Sequence, residues 1–485
     1  MNTNDPTISP ARRGRVKRGI AVVAALATTV AFTAATSTRS SAQTTPQKVG
    51  TVCTTGTGGT GVANFALDSA EGYIALPDGN TAYMWGYQLH GGTFQHPGPV
   101  LCVNEGDVVT VAFTNTLVAK KTLGEPMSIM FPGQENVTAN GVPAQPELSG
   151  ATASLTTSAA VGATVTYSFV ADHAGTFIYE SGTDPQTQVR MGLFGALIVR
   201  PKPVADPNLK TVTGGVKYVY DNAATAYMAN EDFLVLLSEI DPFQHQAIEG
   251  SQAQVDLAHA VTYYNANFKI SDYHPRYWLI NGRGFPDSIA DNNASWLPTQ
   301  PYGALARILP YREASATGSE PAKVYHPYPG LARYINVGSE DYPFHPHGNN
   351  GAIVGRDGHE LVNAANQDMS IEKFSINIGP GQTWDVLFKW YDAENYGTGA
   401  GQMPVPVTVP NVASQTFGMF YSGSPYLGVS GTKPPGFSSQ NQCGEYYIIA
   451  HNHALYQITS WGVNMTGPIT YMRIDDPKST NPNCG

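Results

Sequence analysis

The sequence predicts an all-β chain, and two observations carry that prediction. Charged residues make up only 13% of the 485 residues, while the chain holds 50 Gly, 35 Pro and 26 Tyr; such a composition favours a β-rich, loop-rich build over helical bundles. Short runs of β-formers then recur between Gly-, Pro- and Asn-rich breaks: Val100 to Val103, Asp107 to Phe113 and Val165 to Val170. Gly192 to Val199 is a continuous apolar run and reads as a buried closing strand. Regular short strands of this kind predict β-sandwiches.

In chain order, residues 1–42 read as an export signal. Arg12, Arg13, Arg15, Lys17 and Arg18 precede an apolar run from Ile20 to Ala35, and Ser40-Ser41-Ala42 matches a small-residue cleavage site. Both the twin-arginine and the general secretory route fit: Arg12-Arg13 supports the first, while Arg15 stands where that signal prefers an aromatic residue. The short apolar run argues against a stable membrane anchor after cleavage. Removing residues 1–42 takes away six basic and one acidic residue and shifts the net charge from −10 to −15. No basic patch survives, which argues against nucleic acid as a partner. Cys53, Cys102, Cys443 and Cys484 lack CxxC spacing and read as one or two disulfides, with all three pairings open.

Three blocks of similar size follow. Residues 43–203 are strand and turn, ending at the linker Pro201-Lys202-Pro203. Residues 204–320 contain the strand-like runs Phe233 to Glu239 and Tyr277 to Gly282. Residues 321–485 open with Ala332 to Gly338 and include Trp384 to Trp390. Inside this third block, Tyr391 to Gln442 is a long Gly-, Pro- and Ser-rich insertion that reads as a lid or surface wrap.

Two His-x-His pairs carry the chemistry. His345 and His347 lie in Tyr342-Pro343-Phe344-His345-Pro346-His347-Gly348, and His451 and His453 flank Asn452. On a strand, i and i+2 share a face about 7 Å apart. Two facing pairs can bring four neutral imidazoles to one first-row metal.

At this point the chain resembles the multicopper oxidase (laccase-like) family, as a divergent member. Pro97-Gly98-Pro99 with Glu105-Gly106-Asp107 and Asn115, then Gly175 to Tyr179 and Met191 to Val199, resemble that family's first domain. Ile280-Asn281-Gly282-Arg283 with Phe285-Pro286 resembles its second, and Asn336-Val337-Gly338, Pro343 to Gly348 and Arg356-Asp357-Gly358 its third. The resemblance implies three cupredoxin-like Greek-key β-sandwich domains. It also implies four copper-ligand motifs, and this chain departs from all of them. Met130-Phe131-Pro132-Gly133 and Tyr179-Glu180-Ser181-Gly182 stand where the first-domain histidine motifs are expected. Tyr342, Asn452, Gln457 and Gly462 occupy the positions implied for the blue-copper histidine, cysteine, second histidine and axial methionine.

A blue-copper centre needs a thiolate and two imidazoles, so that centre is not expected. His345, His347, His451 and His453 remain, with Glu180 expected opposite them, as candidate ligands for one ion: copper or another first-row metal. The competing reading makes the four histidines relics bonded to one another and to water, and Glu180 a structural hydrogen-bonding group. Two functions follow. One is an exported metalloprotein with a reduced histidine site, an oxidoreductase of multicopper oxidase type if active. The other is a copper-free cupredoxin scaffold for an envelope protein. The sequence names neither substrate nor partner.

Overall fold

The computed structural model describes residues 47–148, 153–202, 215–309, 311, 328–347, 350–390, 446–462 and 465–474. The export signal, the boundaries expected at Pro203 and Glu320, the Gly/Pro-rich insertion, and Cys443 and Cys484 lie outside these residues. Cys53 pairs with Cys102.

Four larger sheets stack in layers, beside a two-stranded one of Val216–Tyr218 and Ala226–Met228. The first holds six strands in the order Thr81–Leu89, Val62–Ala75, Val108–Thr114, Thr164–Val170, Thr138–Ala139, Val142–Pro143. The second holds Thr54–Thr55, Leu101–Asn104, Phe194–Arg200 and Gly175–Glu180. The third runs Tyr277–Ile280, Asp232–Ile240, Gly330–Asn336, Thr383–Phe388, Gly351–Arg356, His359–Glu360, with Ile371–Lys373 on its flank. The fourth runs Ala306–Ile308, Ile469–Ile474, Tyr446–Asn452, Tyr342–Pro346, Ile376–Ile378.

Sequence pattern sets the layer. Strand Val108–Thr114 alternates because only one face is covered: Val109, Val111 and Phe113 point into the core and their neighbours face outward. Strands of the inner sheets read as unbroken apolar runs because both faces are covered. Leu101, Phe177 and Leu197 pack toward the first sheet, while Cys102, Ile178 and Ile198 meet Leu234, Leu236 and Ile335 of the third. Phe233, Val235 and Leu237 then face Tyr342, Phe344 and Ile448 of the fourth. Tyr179 shows why glycines flank it: its ring and hydroxyl lie where a Cβ on Gly98 or Gly195 would stand, and its hydroxyl donates to Pro99 O at 2.6 Å.

The middle block does not build a sandwich of its own among the described residues. Asp232–Ile240 pairs in parallel with Gly330–Asn336, and Ala306–Ile308 pairs with Ile469–Ile474. Strands on either side of residue 320 thus share the third and fourth sheets. Helices Pro242–Ser251 and Leu257–Asn267, which the sequence did not single out, follow the N-caps Asp241 and Asp256, whose side chains accept from Phe243 N and His259 N. Ile248 of the first helix joins the core of the first sandwich.

One ion network ties the second sheet to the third. Arg333, 1% exposed, donates to Asp232 through Nε at 2.9 Å and Nη2 at 3.1 Å, and to Thr176 Oγ1 through Nη1 at 2.9 Å. Asp385 lies 3.5 Å from Nη1 and accepts from Thr176 and Tyr220 at 2.6 and 2.7 Å. Burial would raise the Asp232 carboxyl, but Arg333 and its hydrogen bonds hold it below the ordinary aspartate value. Arg333→Met strands two carboxylates without their cation and should cost about 3–5 kcal/mol, read from urea melts. A loss under about 1 kcal/mol would remove this network from the account. Because the Asp232 pKa is lowered, its stabilisation is complete above the ordinary value of 3.8 and fades as pH falls through the folded value. Asp232→Asn should abolish that acid dependence.

Candidate metal centre

The fourth sheet sorts the motif residues onto its two faces. Along Tyr342–Pro346 burial alternates, with Tyr342, Phe344 and Pro346 inward and His345 outward; His347 continues the outer face. In the neighbouring strand Ala450 and Asn452 are buried and His451 is half-exposed. Antiparallel pairing sets His345 directly opposite His451 and Phe344 opposite Asn452. His347 N donates to Ile449 O at 2.9 Å and His453 N to Pro343 O at 2.7 Å, which extends the register past both ends.

The four rings therefore meet on the outer face. The centroid of His345 lies 4.8 Å from that of His347, 5.6 Å from His451 and 5.5 Å from His453. His347 Nε2 and His451 Nε2 stand 3.0 Å apart. Two nitrogens at about 2.0–2.1 Å from one ion are separated by that much at an angle of about 90–95°. His345 Nδ1 bonds Phe374 O and His451 Nδ1 bonds Asn452 O, each at 2.7 Å. A carbonyl accepts only, so both Nδ1 atoms carry a proton, and in the neutral ring each Nε2 presents a lone pair. Burial first, then the neighbouring imidazoles, lower the pKa of His347. Burial also lowers that of His451, against a raising bond to Asn452 O. Both shifts favour the neutral ring, the form that binds metal. As the side chains stand, no three His, Cys, Asp or Glu among the described residues are placed to hold an ion; the His347–His451 pair is set, and His345 and His453 need ring rotation to join it.

Glu180 is not brought to this cluster by any contact found among the described residues. It ends a strand of the second sheet, pairs with Met130 through backbone bonds of 2.6 and 3.1 Å, and interacts electrostatically with Tyr87. The two degenerate first-domain motifs thus lie side by side. Met130 covers Gly182, where an added Cβ would stand 2.7 Å from Met130 Cγ. Burial pushes the Glu180 carboxyl up to about 7. Asp184 takes a left-handed φ of 38° before Pro185, a turn role.

The inner face holds the positions implied for blue copper, and polar groups fill it. Tyr342 OH donates to Glu239 Oε2 at 2.6 Å. Asn452 donates to Gln457 Oε1, and Gln457 Nε2 donates to Glu340 Oε2 at 2.7 Å. Trp278 Nε1 donates to the same oxygen at 2.9 Å. Nothing here offers a thiolate, so the residues present do not fit a blue-copper ion. Glu239 and Glu340 were not picked out from the sequence; they lie outside every motif, and only the fold brings Glu239 within reach of residue 342. The other described histidines lie elsewhere: His90 pairs with Asp68 at 2.9 Å, His96 and His245 are buried, and His173 stacks on His359.

Two face-to-face β-sandwiches with motif residues at strand ends define an all-β, cupredoxin-type protein. Residues 71–204 match the family model described as multicopper oxidase, so this segment is multicopper-oxidase-like. No curated protein matches it in sequence. Among solved structures it is similar to a blue copper oxidase from Nitrosomonas europaea, at 18% identity and TM-score 0.47 over 84% of this chain and 85% of that one. It is also similar to the multicopper oxidase mgLAC, at 18% and 0.47 over 86% and 88%, and to a copper nitrite reductase from Nitrosomonas europaea, at 16% and 0.43 over 87% and 98%.

Two outcomes follow. Copper-loaded protein should lack the intense visible band of thiolate-to-copper charge transfer; a strong band in absorption spectra would contradict the placement of Asn452. Glu180 gives a pH signature. Its folded pKa is raised, so the folded state holds that proton more tightly and stability falls as pH rises from 4.5 toward about 7. Glu180→Gln should be neutral in acid and stabilise by about 2–3 kcal/mol at pH 8, in denaturant melts at both pH values.

Proposed function

We propose that this chain is an exported multicopper-oxidase-like metalloprotein that holds one first-row metal ion, copper foremost, on His345, His347, His451 and His453, and that it works without a blue-copper centre. The observation that carries the reading is the 3.0 Å approach of His347 Nε2 to His451 Nε2, with carbonyl bonds aiming the lone pairs of His345 and His451. The donor set fits one ion. Four imidazoles are too few for a three-copper cluster. A bound copper would supply one-electron redox chemistry and Lewis acidity. The protein's part is to hold neutral imidazoles at fixed spacing on a half-exposed face, where a small molecule has access. Export rests on residues 1–42, and no helix of the described residues is long and apolar enough to cross a membrane.

A second reading, a copper-free scaffold that binds an envelope protein, is favoured by the same contact read differently. His347 and His451 satisfy each other, and among the described residues no three donors are placed for an ion as they stand.

Elemental analysis separates the two. About one metal ion per chain is expected after purification without chelators. A His451→Ala, His453→Ala double variant should keep its melting profile and lose metal affinity tenfold or more for each ligand, about 1.4 kcal/mol per decade. Equal metal in parent and variant, or none in the parent, gives the scaffold reading its place.

A further inference from the structure

We propose that Tyr342 is a redox-active tyrosine, oxidised by one electron while its phenolic proton passes to Glu239, with Trp278 and Tyr456 carrying the electron to the surface. The proposal goes beyond the metal reading and does not depend on it.

Phenols lose an electron readily only when the proton can leave with it. Tyr342 is fully buried, and its hydroxyl donates to Glu239 Oε2 at 2.6 Å. Glu239 is 4% exposed, and no Lys or Arg among the described residues forms an ion pair with it. Ser339 N and Tyr273 OH also donate to its Oε1, hydrogen bonds that favour the ionised acceptor against burial. A carboxylate held in apolar surroundings by hydrogen bonds alone gains by taking up a proton. Burial raises the pKa of Tyr342, which keeps the phenol intact until an electron is removed.

Tyr273 bonds the same carboxylate but is the poorer donor. Its bond is 3.3 Å long, and the Arg190 guanidinium sits 3.5 Å above its ring, where a cation opposes electron loss. The route outward runs along the other side. Trp278 is 1% exposed and lines the same apolar core as Tyr342. Its ring meets that of Tyr456 at 5.4 Å, and Tyr456 is 42% exposed. Tyr342 also lies three residues before His345 on one strand, directly behind the histidine face.

The step balances. The O–H bond of Tyr342 breaks, its proton binds Glu239 Oε2, and one electron leaves to a one-electron acceptor of the oxidised metal-complex class at Tyr456. The products are a neutral tyrosyl radical, a protonated Glu239 and the acceptor reduced by one electron.

The test uses the full chain after chelator treatment, so metal plays no part and the two proposals fail separately. Hexachloroiridate serves as oxidant, on protein grown with ring-deuterated tyrosine. Electron paramagnetic resonance should show a radical signal that narrows with the deuterated ring. Tyr342→Phe should lower its yield at least tenfold, Glu239→Gln should slow its formation tenfold or more, and Trp278→Phe should slow formation without lowering the final yield. Absence of a tyrosine signal in the parent overturns the proposal whatever the variants do. So does an undiminished yield in a Tyr342→Phe protein that melts as the parent does.

Discussion

A guanidinium buried between two apolar sheets is the constraint on which the architecture turns. Arg333 cannot give up its charge, so everything around it must answer that charge. Asp232 takes two of its bonds, and Thr176 takes a third from the opposite sheet. Tyr227 and Thr51 satisfy the remaining lone pairs of Asp232 at 2.9 and 3.0 Å. The network fixes the second sheet against the third at one register, because sliding either would leave charges buried and unpaired. Aliphatic contacts such as Ile178 against Ile335 fill the rest of that interface, but apolar packing alone tolerates small shifts.

Fixing the third sheet in turn fixes the fourth, where the histidines are. Phe233 and Val235 back onto Phe344 and Ile448, so the strands bearing His345 and His451 rest on a rigid support. Period-two alternation then does the sorting. One face of those strands carries four imidazoles, and the other carries Tyr342 and Asn452, bonded through Glu239 and Gln457. Each face is satisfied on its own terms.

Much of this was legible in the sequence. Alternation in Val108–Thr114 and unbroken apolar runs in Phe194–Arg200 and Asp232–Ile240 foretold which strands have one covered face and which have two. Spacing of i and i+2 foretold that each histidine pair shares a face. Sequence could not show that the middle block gives its strands to the third and fourth sheets, since a parallel pairing such as Asp232 with Leu331 leaves no local mark. Nor could it show that the backbone of Glu180 pairs with that of Met130, since the two lie fifty residues apart. Arg333, Glu239 and Glu340 were invisible for the same reason: a charged residue in a strand looks solvated until the fold supplies its partners.

The central claim is that metal chemistry has left the inner face and persists on the outer one. X-ray absorption at the metal edge of copper-loaded protein tests it most directly. The account predicts a first shell of nitrogen and oxygen only, with the outer-shell scattering of imidazole rings and no sulfur at about 2.3 Å. A sulfur neighbour, or a shell without imidazole scattering, would contradict it.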